Sequence, residues 1–267
     1  MKPETVSLLW TPGTHEPLRL ALVPASDGSE QEVLVGVHTG EKFSIRDGIP
    51  LLLDELKVSG FNQQYQGIYN RVAGLYDAGI RLAATLAGGG EERFRGEYLR
   101  ELEVQYGDRV LEVSIGTGAN LHYLPVKAAY FGLDISWGML KRCQRNLERW
   151  QLEAELILGN AEELPLRDES FDTVFHVGGI NAFNDRAQAI CEMIRVARAG
   201  AKIVIVDETA KMMESIAWMP TAKKWLQEHG ERFSAPVELV PEGMRDVHAR
   251  DFAKGNMYCL TFRKPFG

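Results

Sequence analysis

The stretch Val110-Leu111-Glu112-Val113-Ser114-Ile115-Gly116-Thr117-Gly118-Ala119-Asn120 joins an apolar run, an acidic residue and two spaced glycines. An apolar strand that enters a glycine turn and then a helix leaves free backbone amides at the helix start, where they can donate to a carboxylate or phosphate. Without Cβ atoms, Gly116 and Gly118 let a ligand approach the backbone. The turn alone fits several nucleotides. A dinucleotide site would place a third glycine three residues after Gly118, where this chain has Leu121.

Two further loops share the same pattern. Phe131-Gly132-Leu133-Asp134 ends the next strand on a carboxylate, placed to accept from both hydroxyls of a ribose or, equally, to cap the helix that begins near Trp137. Gly159-Asn160-Ala161-Glu162-Glu163-Leu164-Pro165 follows the third strand, and Asp168-Glu169-Ser170-Phe171-Asp172 leads into the fourth. Loops from neighbouring strands converge on one edge of an open α/β sheet, its usual ligand crevice. Their joint occurrence is far more specific than a glycine pair.

The elements that must position these loops follow from periodicity. Strands are expected at Arg109 to Val113, Ala129 to Leu133, Ala154 to Leu158, Phe171 to Val177 and Lys202 to Val206. Helices are expected at Ala119 to Leu124, Trp137 to Trp150 and Arg186 to Ala197. Short buried strands with crossover helices predict an α/β fold: a Rossmann-like, mostly parallel seven-stranded sheet with helices on both faces. The tail breaks the rhythm, and Val237 to Val240 with Met257 to Phe262 read as a C-terminal antiparallel hairpin.

Ahead of this domain, β-like stretches at Leu18 to Val23 and Glu32 to Val37 form a small N-terminal β unit, closed by the Asp47-Gly48 turn and Pro50. The expected division is 1–56 for that unit and 57–267 for the main domain, with a helical lid at about 61–106.

Composition narrows the functions. The chain has 267 residues, 45% of them hydrophobic, which is enough for one large α/β domain with a small attachment. A net charge of -7 argues against a dominant phosphate-backbone role and so against nucleic acid as partner. No apolar run approaches the roughly 20 residues of a membrane span, and the first residues lack a signal-peptide core, so a cytoplasmic location is expected. Cys143, Cys191 and Cys259 are widely separated, which favours reduced thiols.

With those motifs in place, the residues from about Tyr65 to Pro265 resemble class I S-adenosylmethionine-dependent methyltransferases, especially the branch of ubiquinone and menaquinone biosynthesis C-methyltransferases. The resemblance implies S-adenosylmethionine as cofactor. It implies Glu112, Gly116 and Gly118 around the methionine part, Asp134 on the ribose, and Ile135 and Met139 beside the adenine. Asn160 and Ala161 would hold the adenine edge, and Val177 with Gly178 would line the pocket base. The segment Tyr69-Asn70-Arg71-Val72-Ala73-Gly74-Leu75-Tyr76-Asp77 resembles the family's N-terminal lid, whose tyrosines, here Tyr69 and Tyr76, can close over the cofactor. Two positions depart from the pattern: Ser114 stands where the family has glycine, and Asn160 where it has aspartate.

The N-terminal unit resembles the zinc-ribbon domain fused to some methyltransferases. Thr11, Thr14, Gly36 and Thr39 stand at the places of its two cysteine pairs. Threonine and glycine offer no thiolate, so no zinc is expected and apolar packing should replace it.

Methyl transfer from a sulfonium is an in-line displacement that needs positioning and, for some acceptors, loss of a proton. Candidates for base or orienting group are His176, Asn181 and Asp207, with Asp185 and Glu208 beside them. Strand alternation puts His176 and Val177 on opposite faces, which favours a packing role for His176 and leaves Asn181 better placed. Asp207-Glu208 can serve the site or merely cap a helix. Tyr65, Tyr69, Tyr76, Trp137, Phe183 and Trp218 line an acceptor pocket or, more often at such spacing, belong to the core.

The reading that leads is an enzyme methylating a small molecule, aromatic or prenylated. An RNA methyltransferase and a non-catalytic cofactor-binding or partner-binding protein stand as alternatives. A homodimer contact and a shield over the active site are open roles for the N-terminal unit.

Overall fold

The computed structural model describes residues 2–24, 29–54, 58–60, 62–63, 90–124 and 127–266. Its main sheet has seven strands in the order β10-β11-β9-β8-β5-β6-β7. These are β5 (Arg109–Val113), β6 (Ala129–Asp134), β7 (Glu155–Leu158), β8 (Phe171–Val177), β9 (Ala197–Glu208), β10 (Arg245–Phe252) and β11 (Met257–Arg263). The five from β7 to β9 are parallel, and β11 and β10 add on antiparallel. Strand order reverses between β5 and β8, so the crevice of an open sheet falls at their carboxyl ends.

Both faces of the sheet are covered. Leu111, Val113, Val174, Ile203 and Ile205 belong to one buried cluster with Ala189, Ile190 and Met193 of helix α4 (Arg186–Val196). The alternate residues Val110, Phe175, Val204 and Val206 pack with Tyr98 and Leu99 of helix α2 (Gly90–Leu99). This two-residue alternation is the strand period read from the sequence. Helix α3 (Trp137–Trp150) starts at Ser136, whose side chain accepts from the Met139 amide, and α4 starts at Asp185, which accepts from the Gln188 amide.

Two expectations are corrected. Residues 119–124 do not form a helix crossover: only a single 3-10 turn, Leu121–Tyr123, is present, because Leu124 is already extended ahead of Pro125. Val237 to Val240 is not a strand either. Val237–Leu239 is a 3-10 turn between Pro236 and Pro241, and the hairpin partner of β11 is the charged β10. Proline removes ladder donors, whereas a charged strand suits a water-facing sheet edge.

The N-terminal unit is a four-stranded antiparallel sheet of β1 (Leu18–Pro24), β2 (Glu30–Gly36), β3 (Lys42–Arg46) and β4 (Ile49–Pro50), preceded by the short helix α1 (Pro3–Val6). It lies against the β7 edge. Leu51 bridges Leu158 in parallel, the Leu52 amide donates to the Leu158 carbonyl at 2.9 Å, and the Trp10 amide donates to the Pro165 carbonyl at 3.1 Å. Leu8, Leu9, Leu18, Leu34 and Leu52 join the cluster that contains Leu111, so the edge that would otherwise expose ladder groups is buried.

At the four positions that the resemblance gives to zinc ligands, the structure corrects the expectation of apolar packing. Thr11 and Thr14 share a hydroxyl hydrogen bond of 2.5 Å, and the Thr11 hydroxyl accepts from the Glu16 amide at 3.0 Å. The Glu16 carboxylate accepts from the Thr39 hydroxyl and from the amides of His38 (2.6 Å) and Thr39 (3.2 Å). A Cβ on Gly36 would stand 2.2 Å from a Glu16 carboxylate oxygen, so only glycine admits it. Hydroxyls, amides and one carboxylate do not make the thiolate set that zinc needs, and a polar knot centred on Glu16 ties the two loops. The Thr39 hydroxyl, with the two amides, holds the Glu16 carboxyl below the usual carboxylate range. A lowered folded-state value means stability that is present above the unfolded value near about 4 and is lost as pH falls through the folded one. Glu16→Gln is therefore expected to lower the thermal midpoint by a few degrees at neutral pH, with the difference from wild type closing in acid, as read by circular dichroism.

Candidate functional site

A cavity of about 890 Å³ opens at the carboxyl ends of β5, β6, β8 and β9. Its floor is the turn after β5. Ser114 (φ 60°), Gly116 (φ 57°) and Gly118 (φ 74°) are all left-handed, so the chain winds tightly and presents its backbone to the cavity. A Cβ on Gly118 would meet the Cys143 sulfur of α3 at 2.6 Å, which makes the second glycine a packing requirement as well as a conformational one.

Ser114 is the departure from the glycine that the resemblance leads one to expect, and its backbone shows why glycine is favoured there: a side chain in this conformation costs about 1 to 2 kcal/mol. Ser114→Gly is expected to raise stability by about 0.5 to 1 kcal/mol, the relief exceeding the added unfolded-state entropy. Urea denaturation checks this; an unchanged or lower midpoint would show the turn to be unstrained.

Asp134 braces the floor from β6. One carboxylate oxygen accepts the Gly116 amide at 2.8 Å and the other the Ser136 amide at 2.8 Å, so it ties the glycine turn to the start of α3 while still facing the cavity. The helix cap itself is Ser136, so Asp134 supports the cap rather than forming it. Burial pushes its carboxyl up to about 6, against the pull of these amides.

Glu112 forms the opposite wall. It is 1% exposed, one oxygen accepts from the Asn120 side-chain amide at 2.5 Å, and among the described residues the other oxygen has no partner. Burial pushes its carboxyl up to about 8. An orphan carboxylate oxygen in a cavity wall is a receptor for a cation or a strong donor.

Behind Glu112 lies a network that sequence reasoning missed. The Tyr98 hydroxyl donates to the Asn120 side-chain oxygen at 2.7 Å, the Arg95 guanidinium donates to the same oxygen, and Arg95 pairs with Glu91 at 2.7 Å. Arg95 also faces the cavity. No motif flags it, because it sits in a helix whose apolar periodicity is weak.

Ile135, Met139, Val177 and Gly178, which the resemblance assigns to the pocket, line the cavity, and Gly118 does not. Asn160 and Ala161 do not line it. The Asn160 side-chain oxygen turns back to accept the Glu162 amide at 3.1 Å, a local asparagine turn, and Ala161 is buried in the core. Tyr65, Tyr69, Tyr76 and most of the lid segment fall outside the described residues.

The three candidate bases form a layer behind the wall. His176 is 0% exposed, with its Nδ1 3.0 Å from the Val113 carbonyl and its ring edge-on to Phe183, and burial lowers its pKa. Asp207 accepts three backbone amides, and Asn181 joins the Glu208 carbonyl at 2.9 Å to the Tyr258 hydroxyl at 3.3 Å. Glu208, beside them, does face the cavity.

Comparison with known proteins agrees with this architecture. A family model described as a methyltransferase domain matches residues 111–205, from β5 to β9. A demethylmenaquinone methyltransferase of Mycobacterium sp. (strain KMS) is 30% identical over 65% of this chain and 74% of its own length. A phosphatidylethanolamine N-methyltransferase of Cereibacter sphaeroides is 38% identical over 39% of this chain, a match that spans 53% of that relative, about half its length. A solved S-adenosylmethionine-dependent methyltransferase of Thermotoga maritima superposes with a TM-score of 0.52 at 17% identity, over 74% of this chain and 99% of that one, which shows the fold. The glycine turn, the acidic end of β6 and these relationships together place the chain in the class I methyltransferase family, whose cofactor is S-adenosylmethionine.

Proposed function

We propose that this chain transfers a methyl group to an aromatic or prenylated small molecule. The observation that carries the reading is the unpartnered Glu112 oxygen in the cavity wall beside the glycine turn. In this reading Glu112 receives the ammonium of the cofactor's methionine part, with the turn at Gly116 against its chain. Asp134 receives the ribose hydroxyls, and Ile135 and Met139 sandwich the adenine. Arg95 stands in the same wall as a partner for the cofactor's carboxylate. When bound, the cofactor supplies an electrophilic methyl on a sulfonium. The protein's part is then to hold the acceptor in line with that methyl and keep water out.

The acceptor side is the wall contributed by α2 and the β10–β11 hairpin, where Phe94 and Phe252 stand with ring centroids 5.8 Å apart and Met212 and Met257 flank them. Aromatic and thioether surfaces suit a flat apolar ring. The relatives' acceptors, a quinone in one and a phospholipid in another, support a small apolar acceptor. Among the described residues no helix is long and apolar enough to cross a membrane. Its net charge of -7 supports a reading with no nucleic-acid partner, and we keep the cytoplasmic location expected from the sequence. We also keep the division at about residue 56, with the N-terminal unit as a brace for the β7 edge.

The test pairs calorimetric titration of S-adenosylmethionine with transfer of labelled methyl to reduced demethylmenaquinone or to phosphatidylethanolamine vesicles. Micromolar binding and label on the quinol are expected. Failure to bind the cofactor at about millimolar concentration would sink the proposal, and label on the phospholipid alone would move the acceptor to the lipid headgroup.

A further inference from the structure

The carboxyl end of β9 carries an acidic pair that cofactor binding leaves unused. Asp207 and Glu208 are consecutive residues at the end of the strand, and their carboxyls are hydrogen-bonded to each other. Asp207 is fully buried and satisfied as an anion. One of its oxygens accepts the amides of Gly179 (3.1 Å) and Asn181 (2.9 Å), and the other accepts that of Glu208 (2.9 Å). These bonds also bind the turn after β8 to the end of β9. Asp207 does not line the cavity.

Glu208 does: it lies in the cavity wall with Gly178, Gly179, Met212 and Met257, two residues past Val206, the neighbour of Val177 in the sheet. Its carboxyl is hydrogen-bonded to that of Asp207, and of the two acids Glu208 is the one in the cavity wall. The turn at Gly178 and Gly179 has φ values of 77° and 112°, and open space lies where a Cβ would stand at both positions, so the backbone leaves room for a ligand directly beside Glu208.

Resting on the methyl-transfer reading above, we propose that Glu208 is the base that removes a proton from a phenolic hydroxyl of the acceptor as the methyl arrives. The O–H bond breaks and its electron pair passes into the ring, whose carbon forms the new bond to the methyl; that carbon's C–H bond then breaks to restore the aromatic ring while the oxygen takes up a proton. The sulfur keeps the pair of the broken S–C bond, and the hydroxyl proton passes to the Glu208 carboxylate and then to water. One proton is released for each methyl transferred, and no oxidant or further reactant is needed.

The surroundings suit that task. The charges and titratable groups around the pair are Asp207 on its own strand, His176 on β8, Tyr258 on β11, Arg186 on α4, and Glu238 in the 3-10 turn after Pro236. The negative charge of Asp207, and then burial, raises the Glu208 carboxyl well above the ordinary carboxylate value. Once ionised, such a carboxylate is a stronger base than a free one. The sign follows: Glu208 must be ionised to act, so the rate climbs with pH until that ionisation is complete.

The experiment measures methyl transfer from S-adenosylmethionine to reduced demethylmenaquinone between about pH 6 and 9, for wild type, Glu208→Gln and Glu208→Asp. For the glutamine variant the expected results are cofactor affinity within about twofold of wild type, kcat lower by about 100-fold, little change in the acceptor KM, and loss of the pH-dependent climb. The aspartate variant should recover part of kcat together with a pH-dependent limb. Calorimetric binding of S-adenosylhomocysteine certifies that each variant is folded. A glutamine variant with the wild-type rate and pH profile overturns the proposal. Wild-type protein that binds cofactor yet transfers no methyl to this acceptor refutes instead the acceptor reading on which the proposal rests, and removes both.

Discussion

Exchanging Arg95 for methionine is expected to lower folding stability by about 3 kcal/mol and to weaken cofactor binding by at least about 30-fold. Arg95 is 7% exposed and its guanidinium donates toward Glu91 at 2.9 and 2.7 Å, toward the Tyr98 hydroxyl at 3.2 Å, and toward the Asn120 side-chain oxygen, which leaves one N–H of Nη2 for a further acceptor. Methionine keeps much of the packing volume and removes only the charge and the donors. Glu91 would then lose its pairing with Arg95, and removing one partner of a buried pair costs about 3 to 5 kcal/mol. The partial exposure of Glu91 puts the expected value at the lower end.

The loss of affinity has a separate cause. Arg95 and Tyr98 orient the Asn120 oxygen, and Asn120 in turn donates to Glu112. Without that chain, Glu112 loses its fixed orientation toward the cavity, and the wall loses the positive charge proposed for the cofactor's carboxylate. Urea denaturation separates the stability effect from the binding effect, which calorimetry reads under conditions where the variant is folded. Stability unchanged within about 0.5 kcal/mol would mean that the network is not formed in solution.

What was legible in the sequence follows the range of the interactions. The parallel sheet was readable because alternating burial imposes a local signal: Val110 against Leu111, or His176 against Val177, sort to opposite faces within two residues. The same rule put His176 and Val177 on opposite faces, and the resemblance supplied which of them meets the cavity. The glycine turn and Asp134 were readable because both sit at strand ends, where chain geometry restricts the residue type.

The rest depends on contacts between distant segments that no local pattern encodes. Glu16 becomes the centre of a polar knot only because Thr11, Gly36 and Thr39 come together around it, and a glutamate ahead of a strand carries no mark of that. Arg95 reaches Asn120 across 25 residues and lies in a helix with little apolar periodicity. Asp207 and Glu208 were interchangeable in the sequence. Only the three amides on Asp207 decide which of them is left for the cavity. The hairpin was misplaced for the opposite reason, since apolar Val237 to Val240 looks more strand-like than the charged β10 that actually pairs.

Cofactor binding should become tighter with rising pH, by roughly tenfold or more between about pH 6 and 7.5, and Glu112→Gln should abolish most of that slope. In the free protein, burial first, with the charge of Asp134, raises the Glu112 carboxyl to about 8, while Asn120 and Arg95 oppose the rise. Below that value Glu112 holds a proton and presents a neutral acid to the cavity. Receiving an ammonium requires the anion, so each unit of pH below about 8 reduces the competent fraction about tenfold. The cofactor's own amine, which loses its proton near about 8, sets the upper limit of the window. Asp134, raised to about 6, adds slope only at its acid end. The stability of the ligand-free protein runs the other way. A carboxyl whose folded-state value is raised contributes stability that is complete below its unfolded value of about 4.3 and is lost as pH rises toward 8. Cofactor binding should restore that loss, so the thermal shift produced by S-adenosylhomocysteine should grow from pH 6 to 7.5 in wild type. In the glutamine variant it should be small and flat, with affinity at about pH 7.5 lower by about 100-fold, the cost of replacing a charge-assisted contact by a neutral one. Affinity independent of pH in the wild type would mean that Glu112 is already ionised in the empty cavity and that its free oxygen has a partner in solution.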